Sequence, residues 1–99
     1  MRVAVIGDYE TPGYKELLQS VSFVMAEDDV LDLSRHESTD HKERQTARWD
    51  DIENSRMVIV DSRWQEYSFD ARWDINRALH LHKNFSFHHN GVITPLNWS

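Results

Sequence analysis

Two kinds of apolar pattern alternate along this chain. Short runs rich in β-branched residues, with no helical period, are typical of strands buried on both faces, and they cover residues 2–7, 30–33 and 57–60. Apolar residues spaced three and four apart predict helices over 14–26, 41–54 and 69–82. Residues 85–92 form a candidate last strand, and we interpret residues 94–99 as a tail.

The order of these elements is β-α-β-α-β-α-β, with short connections between them. Such alternation predicts a parallel sheet with right-handed crossovers and with helices on both faces. We therefore expect a three-layer, flavodoxin-like α/β fold with a four-stranded, mostly parallel sheet. The 99 residues suit a single domain, and no linker or repeat divides them.

Polar residues follow two of the predicted strands, at the sheet edge where α/β proteins bind ligands. Asp61 ends the third strand, and Asp74 lies in the first part of the next helix. Gly7, Asp8 and Tyr9 form the corner after the first strand, where a glycine permits a tight turn or the close approach of a ligand. We expect Asp61 and Asp74 to converge on one hollow at this edge. Two carboxylates placed in this way can do covalent or acid/base chemistry.

Two segments, residues 52–61 and 71–78, resemble nucleoside 2-deoxyribosyltransferases and the related deoxynucleoside monophosphate N-glycosidases. In that family an acid-rich helix leads into a hydrophobic strand, and the next helix carries the nucleophilic glutamate in a Glu-Ile/Leu-Gly-x-Ala motif. Residues 74–78 (Asp-Ile-Asn-Arg-Ala) stand at that position, with Asp for the glutamate and Asn for the glycine. Arg48 aligns with an acid that the family places ahead of the strand.

This resemblance implies that the protein breaks the N-glycosidic bond of a nucleoside or nucleotide, or transfers its deoxyribosyl group, without a cofactor. Asp74 would be the nucleophile, and Tyr9 would hold it through its hydroxyl. Asp61 or Asp8 would orient the sugar hydroxyls or protonate the leaving base. The residues expected to bind the substrate are Gly7, Asp8, Trp64, Tyr67 and Arg72.

Each of the candidates also has a purely structural interpretation. Asp74 can be a solvated carboxylate that the dipole of its helix favours, and Asp61 can be a cap or turn residue at a strand end. Gly7 can serve the turn alone. The corresponding function is a non-catalytic module on the same scaffold, which binds a nucleotide-like ligand or a protein partner as an inhibitor or regulator does.

Arginines and aromatic residues cluster near the same predicted edge. Arg63, Arg72 and Arg77 suit a phosphate there, which would favour a nucleotide over a nucleoside. The preferred interpretation is that they form ordinary solvated pairs with Glu66, Asp70 and Asp74. Trp64 and Tyr67 lie in the loop between the two candidate acids. In that position they can stack on a base or cover a neighbouring subunit.

The histidines and the absence of cysteine bear on metal binding. With no cysteine, disulfides and thiolate metal sites are excluded. His80 and His82 are two residues apart on a predicted helix, and His88 and His89 are adjacent on a predicted strand, so neither pair has the spacing of a zinc site. We expect no metal site, and a pH-sensitive surface or subunit contact is the preferred role of these histidines.

Charge and hydropathy point to the partners and the compartment. The formal net charge of −6 makes binding to nucleic acid or to anionic membranes unfavourable. No apolar run is long enough to span a membrane, so we expect a cytoplasmic protein. The chain holds four tryptophans; Trp49 and Trp73 should pack between helix and sheet, and aromatic-rich helices predict a homodimer or higher homo-oligomer.

Overall fold

The computed structural model describes residues 1–96, which form a five-stranded sheet and three α-helices. The strands are β1 (Arg2–Val5), β2 (Asp29–Asp32), β3 (Met57–Asp61), β4 (Asn84–His89) and β5 (Val92–Pro95). The helices are α1 (Pro12–Val24), α2 (His41–Glu53) and α3 (Phe69–His80). Single turns of 3-10 helix occupy Leu33–Arg35 and Trp64–Glu66.

The sheet order is β2-β1-β3-β4-β5, and its first four strands pair in parallel. This confirms the predicted three-layer, flavodoxin-like α/β fold with a mostly parallel sheet. The strand count differs from the prediction, because β5 adds an antiparallel edge strand next to β4. The sheet therefore has five strands in the described residues, where the sequence pattern indicated four.

A two-residue hairpin turn produces the fifth strand. Asn90 and Gly91 have φ angles of 48° and 80°, the left-handed conformations that a tight turn between antiparallel strands requires. Residues 85–92 therefore divide into two strands at this Asn-Gly pair. The tail predicted over 94–99 is wrong for Thr94 and Pro95, which pair with β4, and residues 97–99 lie outside the described residues.

Side chains along the central strands alternate between two cores, because helices cover both faces of the sheet. Val3 and Val5 of β1 pack in the core beneath α1. Ala4 and Ile6 pack in the other core, beneath α2 and α3. All four of these side chains are fully buried, which explains why the first strand has a continuous apolar sequence.

The strand order leaves a crevice between β1 and β3, the position at which open α/β sheets bind ligands. The chain leaves β1 toward α1 on one face of the sheet and leaves β3 toward α3 on the other face. Adjacent strands whose connections diverge in this way leave an open crevice at their carboxyl ends. Within residues 1–96, none of the helices combines the length and the apolar character that a membrane crossing demands.

Candidate functional site

At the carboxyl edge of the sheet, the loop after β1 lines two cavities. The larger, which we call the Tyr9 cavity, has a volume of about 550 Å³ and lies between this loop, α2 and the start of α3. The smaller, the Tyr67 cavity, has a volume of about 250 Å³ and lies between the same loop, α1 and the segment after β3. The lining of the Tyr9 cavity includes Tyr9, His36, Arg44, Arg48 and Asp70. The lining of the Tyr67 cavity includes Gly7, Asp8, Asp61, Arg63 and Tyr67.

Asp74 lies next to the Tyr9 cavity, at the junction of α3 with α2, and its side chain is fully buried. The hydroxyl of Tyr9 donates to Asp74 Oδ2 at 2.6 Å. Arg48 Nε donates to the same oxygen at 2.7 Å, and the indole of Trp49 donates to Oδ1 at 2.9 Å. The expected hydrogen bond between Tyr9 and Asp74 is thus present, while the catalytic roles of both residues remain predictions.

Helical spacing explains how these groups meet. On α3, Asp74 shares a buried face with Ala71, Ile75 and Ala78 and so points toward α2 instead of solvent. On α2, Arg48 precedes the buried Ile52 by four residues and therefore faces the same core. A carboxylate on one buried helix face and a guanidinium on the other form an ion pair in the helix interface.

Burial dominates the electrostatics of Asp74 and Tyr9. It raises the pKa of the Asp74 carboxyl, while the hydrogen bonds from Tyr9, Arg48 and Trp49 act in the opposite direction. The pKa of Tyr9 lies well above its ordinary value, first because of burial and then because of the neighbouring carboxylate. Tyr9 is therefore protonated at neutral pH and donates a hydrogen bond to Asp74.

Arg48 has three separate interactions in this site. Its side chain is only 6% exposed and forms the ion pair with Asp74. Its guanidinium carbon lies 4.9 Å from the centre of the Tyr9 ring, within range of a cation–π interaction. Its Nη2 atom is buried and has no hydrogen-bond partner among the residues the structure describes. Because Arg48 also lines the Tyr9 cavity, it is the cationic group that links the cavity to the buried carboxylate.

Asp61 lies in a different environment. Its carboxylate accepts hydrogen bonds from the backbone N–H of Arg63 at 3.0 Å and from His88 Nδ1 at 3.4 Å. Burial acts to raise its pKa, but the hydrogen bonds from Arg63 and His88 outweigh burial, and the pKa of Asp61 is lowered. Asp61 is therefore an ionised group at the end of β3.

The expected convergence of Asp61 and Asp74 on one hollow is wrong: Asp61 lines the Tyr67 cavity, whereas Asp74 is buried and lines none of the described cavities. The pleat of β3 explains the separation. Val58 and Val60 face the core beneath α2 and α3, whereas Ile59 faces the core beneath α1. Asp61 has the same parity as Ile59, so it lies on the α1 face, and Asp74 lies on the opposite face.

The corner after β1, residues 7–9, packs closely against Tyr14 and also lines the two cavities. A Cβ on Gly7 would lie 2.8 Å from Cδ1 of Tyr14, so only glycine fits there. Asp8 lines both cavities, and its Oδ1 accepts the backbone N–H of Ser68 at 2.7 Å. This bond attaches the corner to the start of α3 and fixes Tyr9 close to Asp74.

The remaining predicted substrate-binding residues have different locations. Tyr67 lines the Tyr67 cavity, and its hydroxyl accepts the backbone N–H of Asp61 at 2.9 Å. Burial raises the pKa of Tyr67 to about 12. Trp64 packs against the core beneath α2 and α3 and lines none of the described cavities. Arg72 is exposed and lines none of them either, so the structure does not place it in a binding site.

Two expectations about packing and pairing need correction. Trp73 is 44% exposed, because it stands on the outer side of α3 and contacts Phe69 edge to face at 5.7 Å between ring centres. Trp49 does pack against the core, as expected. Arg77 does not pair with Asp74, because its guanidinium lies over the Trp49 ring, 5.1 Å from the ring centre. Asp74 forms its ion pair with Arg48 instead.

Several residues of the Tyr9 cavity were not predicted from the sequence. His36 follows β2, and His41 and Arg44 lie in the first turns of α2. Their only sequence signal is position, since they flank the loop after the second strand at the ligand-binding edge. Within residues 1–96, no cluster of three or more potential metal-ligating side chains occurs.

Comparisons with known proteins bear on the fold. No protein-family model and no curated protein sequence matches the chain significantly. A solved 2-deoxyribosyltransferase from Leishmania mexicana superposes with a TM-score of 0.68 at 13% identity, over 98% of this chain and 79% of the other. A CMP N-glycosidase from Clostridium botulinum superposes with a TM-score of 0.55 at 13% identity, over 88% and 70%. The chain thus has the deoxyribosyltransferase-like fold that the resemblance implied.

Proposed function

We propose that this protein binds a nucleoside or nucleotide in the Tyr9 cavity and breaks or exchanges its N-glycosidic bond through Asp74. One observation supports this above the others: Tyr9, from the loop after β1, donates a 2.6 Å hydrogen bond to a carboxylate on α3 beside a cavity of substrate size. The fold is shared with a 2-deoxyribosyltransferase and a CMP N-glycosidase, which agrees with the same proposal.

In the proposed reaction the Asp74 carboxylate meets the anomeric carbon as the bond to the base breaks. The carboxylate either bonds to that carbon or stabilises its positive charge, and water or a second base completes the exchange. Asp61 is not part of this proposal, because it lies on the other face of the sheet. Asp8 lines the Tyr9 cavity and is the acid that we assign to the sugar hydroxyls or the leaving base.

Arg48 must move for this reaction to occur. Asp74 is fully buried and its oxygens accept three hydrogen bonds, so a substrate carbon can reach it only after the guanidinium withdraws. The long Arg48 side chain lines the cavity and can turn from the carboxylate to an anionic group of the ligand. Arg44 lines the same cavity, and two guanidinium groups suit a phosphorylated substrate over a plain nucleoside. The lining also includes the acids Asp8, Glu10 and Asp70, and His41 lies against Asp70, so this preference rests on Arg44 and Arg48 alone.

The non-catalytic alternative also has a specific observation in its favour. A carboxylate that is saturated with donors and paired with a buried guanidinium is a poor nucleophile, because its charge is already neutralised. The same site with a fixed Arg48–Asp74 pair would bind a nucleotide and leave it intact. The alternative is therefore a binding module on this scaffold that acts as a regulator or inhibitor.

One experiment separates the two functions. The protein is mixed with each 2′-deoxynucleoside and each 5′-monophosphate, and free base is measured by chromatography while binding is measured by calorimetry. Release of base, fastest with a monophosphate, supports the proposed reaction. Binding heat without any base supports the regulatory module. Neither heat nor base with any of these compounds contradicts both functions.

We also propose that the protein forms a homodimer through α3. Phe69 is 72% exposed and Trp73 44% exposed, and the two rings form one aromatic surface. Sedimentation should give the mass of a dimer, and Phe69→Ser with Trp73→Ser should give a folded monomer. A monomeric wild-type protein at all accessible concentrations would contradict the proposal.

A further inference from the structure

A serine, a histidine and an aspartate form a hydrogen-bonded chain on the α1 face of the sheet, away from Asp74. Ser20 of α1 lies with its Oγ 2.8 Å from Nε2 of His88 on β4. The other ring nitrogen, Nδ1, lies 3.4 Å from Asp61 Oδ2 at the end of β3. All three residues line one cavity of about 480 Å³, which we call the Ser20 cavity.

The backbone fixes the tautomer of this histidine. The N–H of Gly91, at the hairpin turn, points at His88 Nε2 at 3.2 Å. Since a backbone N–H can only donate, Nε2 is an acceptor, and the proton of neutral His88 lies on Nδ1, facing Asp61. The Ser20 hydroxyl, at 2.8 Å, and the Gly91 N–H, at 3.2 Å, then share the one lone pair of Nε2 in a bifurcated hydrogen bond, and the longer Gly91 bond must break when Nε2 takes a proton. This direction of donation, from serine to histidine to carboxylate, is the one that activates a serine nucleophile.

The surroundings hold the three side chains in place. His88 is 8% exposed and sits on a strand between β3 and β5, so its ring has little freedom. Asp61 is fixed by the backbone N–H of Arg63 at 3.0 Å, and its lowered pKa keeps it ionised. Ser20 is half-buried and faces the cavity from the helix.

We infer that Ser20, His88 and Asp61 form a second active site, in which Ser20 is a nucleophile toward short carboxylic esters. Ser20 Oγ bonds to the ester carbonyl carbon while its proton passes to His88 Nε2. The ester C–O bond then breaks, and the leaving alcohol takes the proton from His88. Water repeats both steps on acyl-Ser20, which releases the carboxylic acid and restores the starting residues.

The negative charge on the carbonyl oxygen requires N–H donors nearby. We assign this role to the guanidinium of Arg63 and the side-chain amide of Asn90, since both residues line the Ser20 cavity. Without an ester, Arg63 Nε lies 3.4 Å from Asp61 Oδ1 and the Asn90 amide lies 3.3 Å from His89 Nε2, so both groups must turn toward the substrate. The Arg63 side chain is 79% exposed, so it can turn toward a bound ester without breaking a buried contact. The site therefore has a nucleophile, a base, a residue that orients the base, and donors for the oxyanion.

A second serine–histidine pair in the same region provides a matched control. Ser62 Oγ lies 2.8 Å from His89 Nδ1, on the neighbouring residue of β4. The other nitrogen of His89 contacts the amide of Asn90 at 3.3 Å, and no carboxylate orients this ring within the described residues. If the full chain of three groups is what activates serine, Ser20 should react and Ser62 should not.

The test is labelling of the whole protein with an alkyl fluorophosphonate, followed by peptide mass spectrometry, with p-nitrophenyl acetate hydrolysis as the second readout. We expect one label per chain, on Ser20, and none on Ser62. Ser20→Ala should abolish labelling and ester hydrolysis, and Ser62→Ala should leave both unchanged. His88→Gln should slow labelling by on the order of a hundredfold or more, the usual contribution of a general base.

The results that would overturn the inference are equally direct. Unlabelled Ser20 in the folded wild-type protein contradicts it, as does labelling that persists in His88→Gln at the wild-type rate. If His88→Gln does not fold, Asp61→Asn replaces it, and unchanged labelling there contradicts the role of the acid. Ser20→Ala should leave the release of free base from nucleosides unchanged, so this inference and the proposed glycosidic reaction fail or succeed separately.

Discussion

At the scale of single residues, Asp74 combines full burial with a charged partner. It is a fully buried carboxylate with a raised pKa, and it forms a close ion pair with a buried arginine. Removing one partner of such a pair leaves the other charge buried and unpaired, whereas replacing both can be nearly neutral. The Arg48–Asp74 ion pair therefore stabilises the fold, and a substrate must displace Arg48 before it can reach Asp74.

A double-mutant cycle measures the strength of this contact. We expect Arg48→Met to lower the free energy of unfolding by about 3–5 kcal/mol, because Asp74 is left without its counter-charge. Asp74→Asn in the Arg48→Met background should recover part of this loss. Urea denaturation gives all the free energies, and Arg56→Met, at an exposed position next to α2, is the control. Additive effects of the two substitutions would show that the pair is not coupled.

Contacts between individual side chains are the feature that the sequence predicts least well. The hydrogen bond between Tyr9 and Asp74 follows from the resemblance, which implies that Tyr9 holds the nucleophile through its hydroxyl. The ion pair with Arg48 did not follow, since it depends on how α2 packs on α3. The separation of Asp61 from Asp74 could have been derived, because Ile59 and Asp61 have the same parity on β3 and parity decides the face of a strand.

At the scale of elements, the apolar pattern predicts the helices and the parallel strands. The predicted bounds differ from the observed ones at the ends of these elements. The predicted end of the last helix at residue 82 is two residues late, since α3 ends at His80. His82 takes a left-handed φ of 55°, its N–H bonds to the Leu79 carbonyl, and the Lys83 N–H bonds to the Ala78 carbonyl. This is a Schellman motif, in which glycine is preferred at the position that His82 occupies.

The Schellman motif gives a prediction about stability. His82→Gly should raise the free energy of unfolding by about 0.5–1 kcal/mol, because glycine adopts the left-handed conformation without strain. His80→Gly is the matched control, and it should lower stability by about 1 kcal/mol because that residue is helical. Both are measured by thermal and urea denaturation. A loss of stability in His82→Gly would show that the histidine makes a contact that outweighs its strain.

At the scale of the whole molecule, the sequence was sufficient for the architecture because each strand and helix had a clear period and the order of elements restricts the topology. The fifth strand was missed since its apolar residues are few and the Asn-Gly turn was included in one longer strand. The site is less predictable than the fold. It depends on three loops and two helix faces that meet only after folding.

The tyrosines report on the integrity of the whole fold. Burial raises the pKa of all three, Tyr9, Tyr14 and Tyr67, the last to about 12. The native state therefore holds these protons more tightly than the unfolded state, and this stabilisation is complete below the unfolded pKa of about 10. It is lost as the pH rises through the native values.

We therefore expect no tyrosinate absorbance from the native protein at pH 10, while in concentrated urea the same three groups titrate normally. Above that pH, ionisation and unfolding should coincide in one transition, followed by ultraviolet absorbance and circular dichroism together. Ionisation of one tyrosine near pH 10 without unfolding would show that its hydroxyl is open to solvent.

The central claim is that Asp74 acts on the glycosidic bond of a bound nucleoside or nucleotide, and its most direct test is the rate of base release. We expect the wild-type protein to release free base from at least one 2′-deoxynucleoside or its monophosphate, with a loss on the order of a thousandfold or more in Asp74→Asn. Asp50→Asn, at an exposed position of α2, should keep the wild-type rate. Equal rates in wild type and a folded Asp74→Asn variant, or no release by the wild type, would contradict the claim.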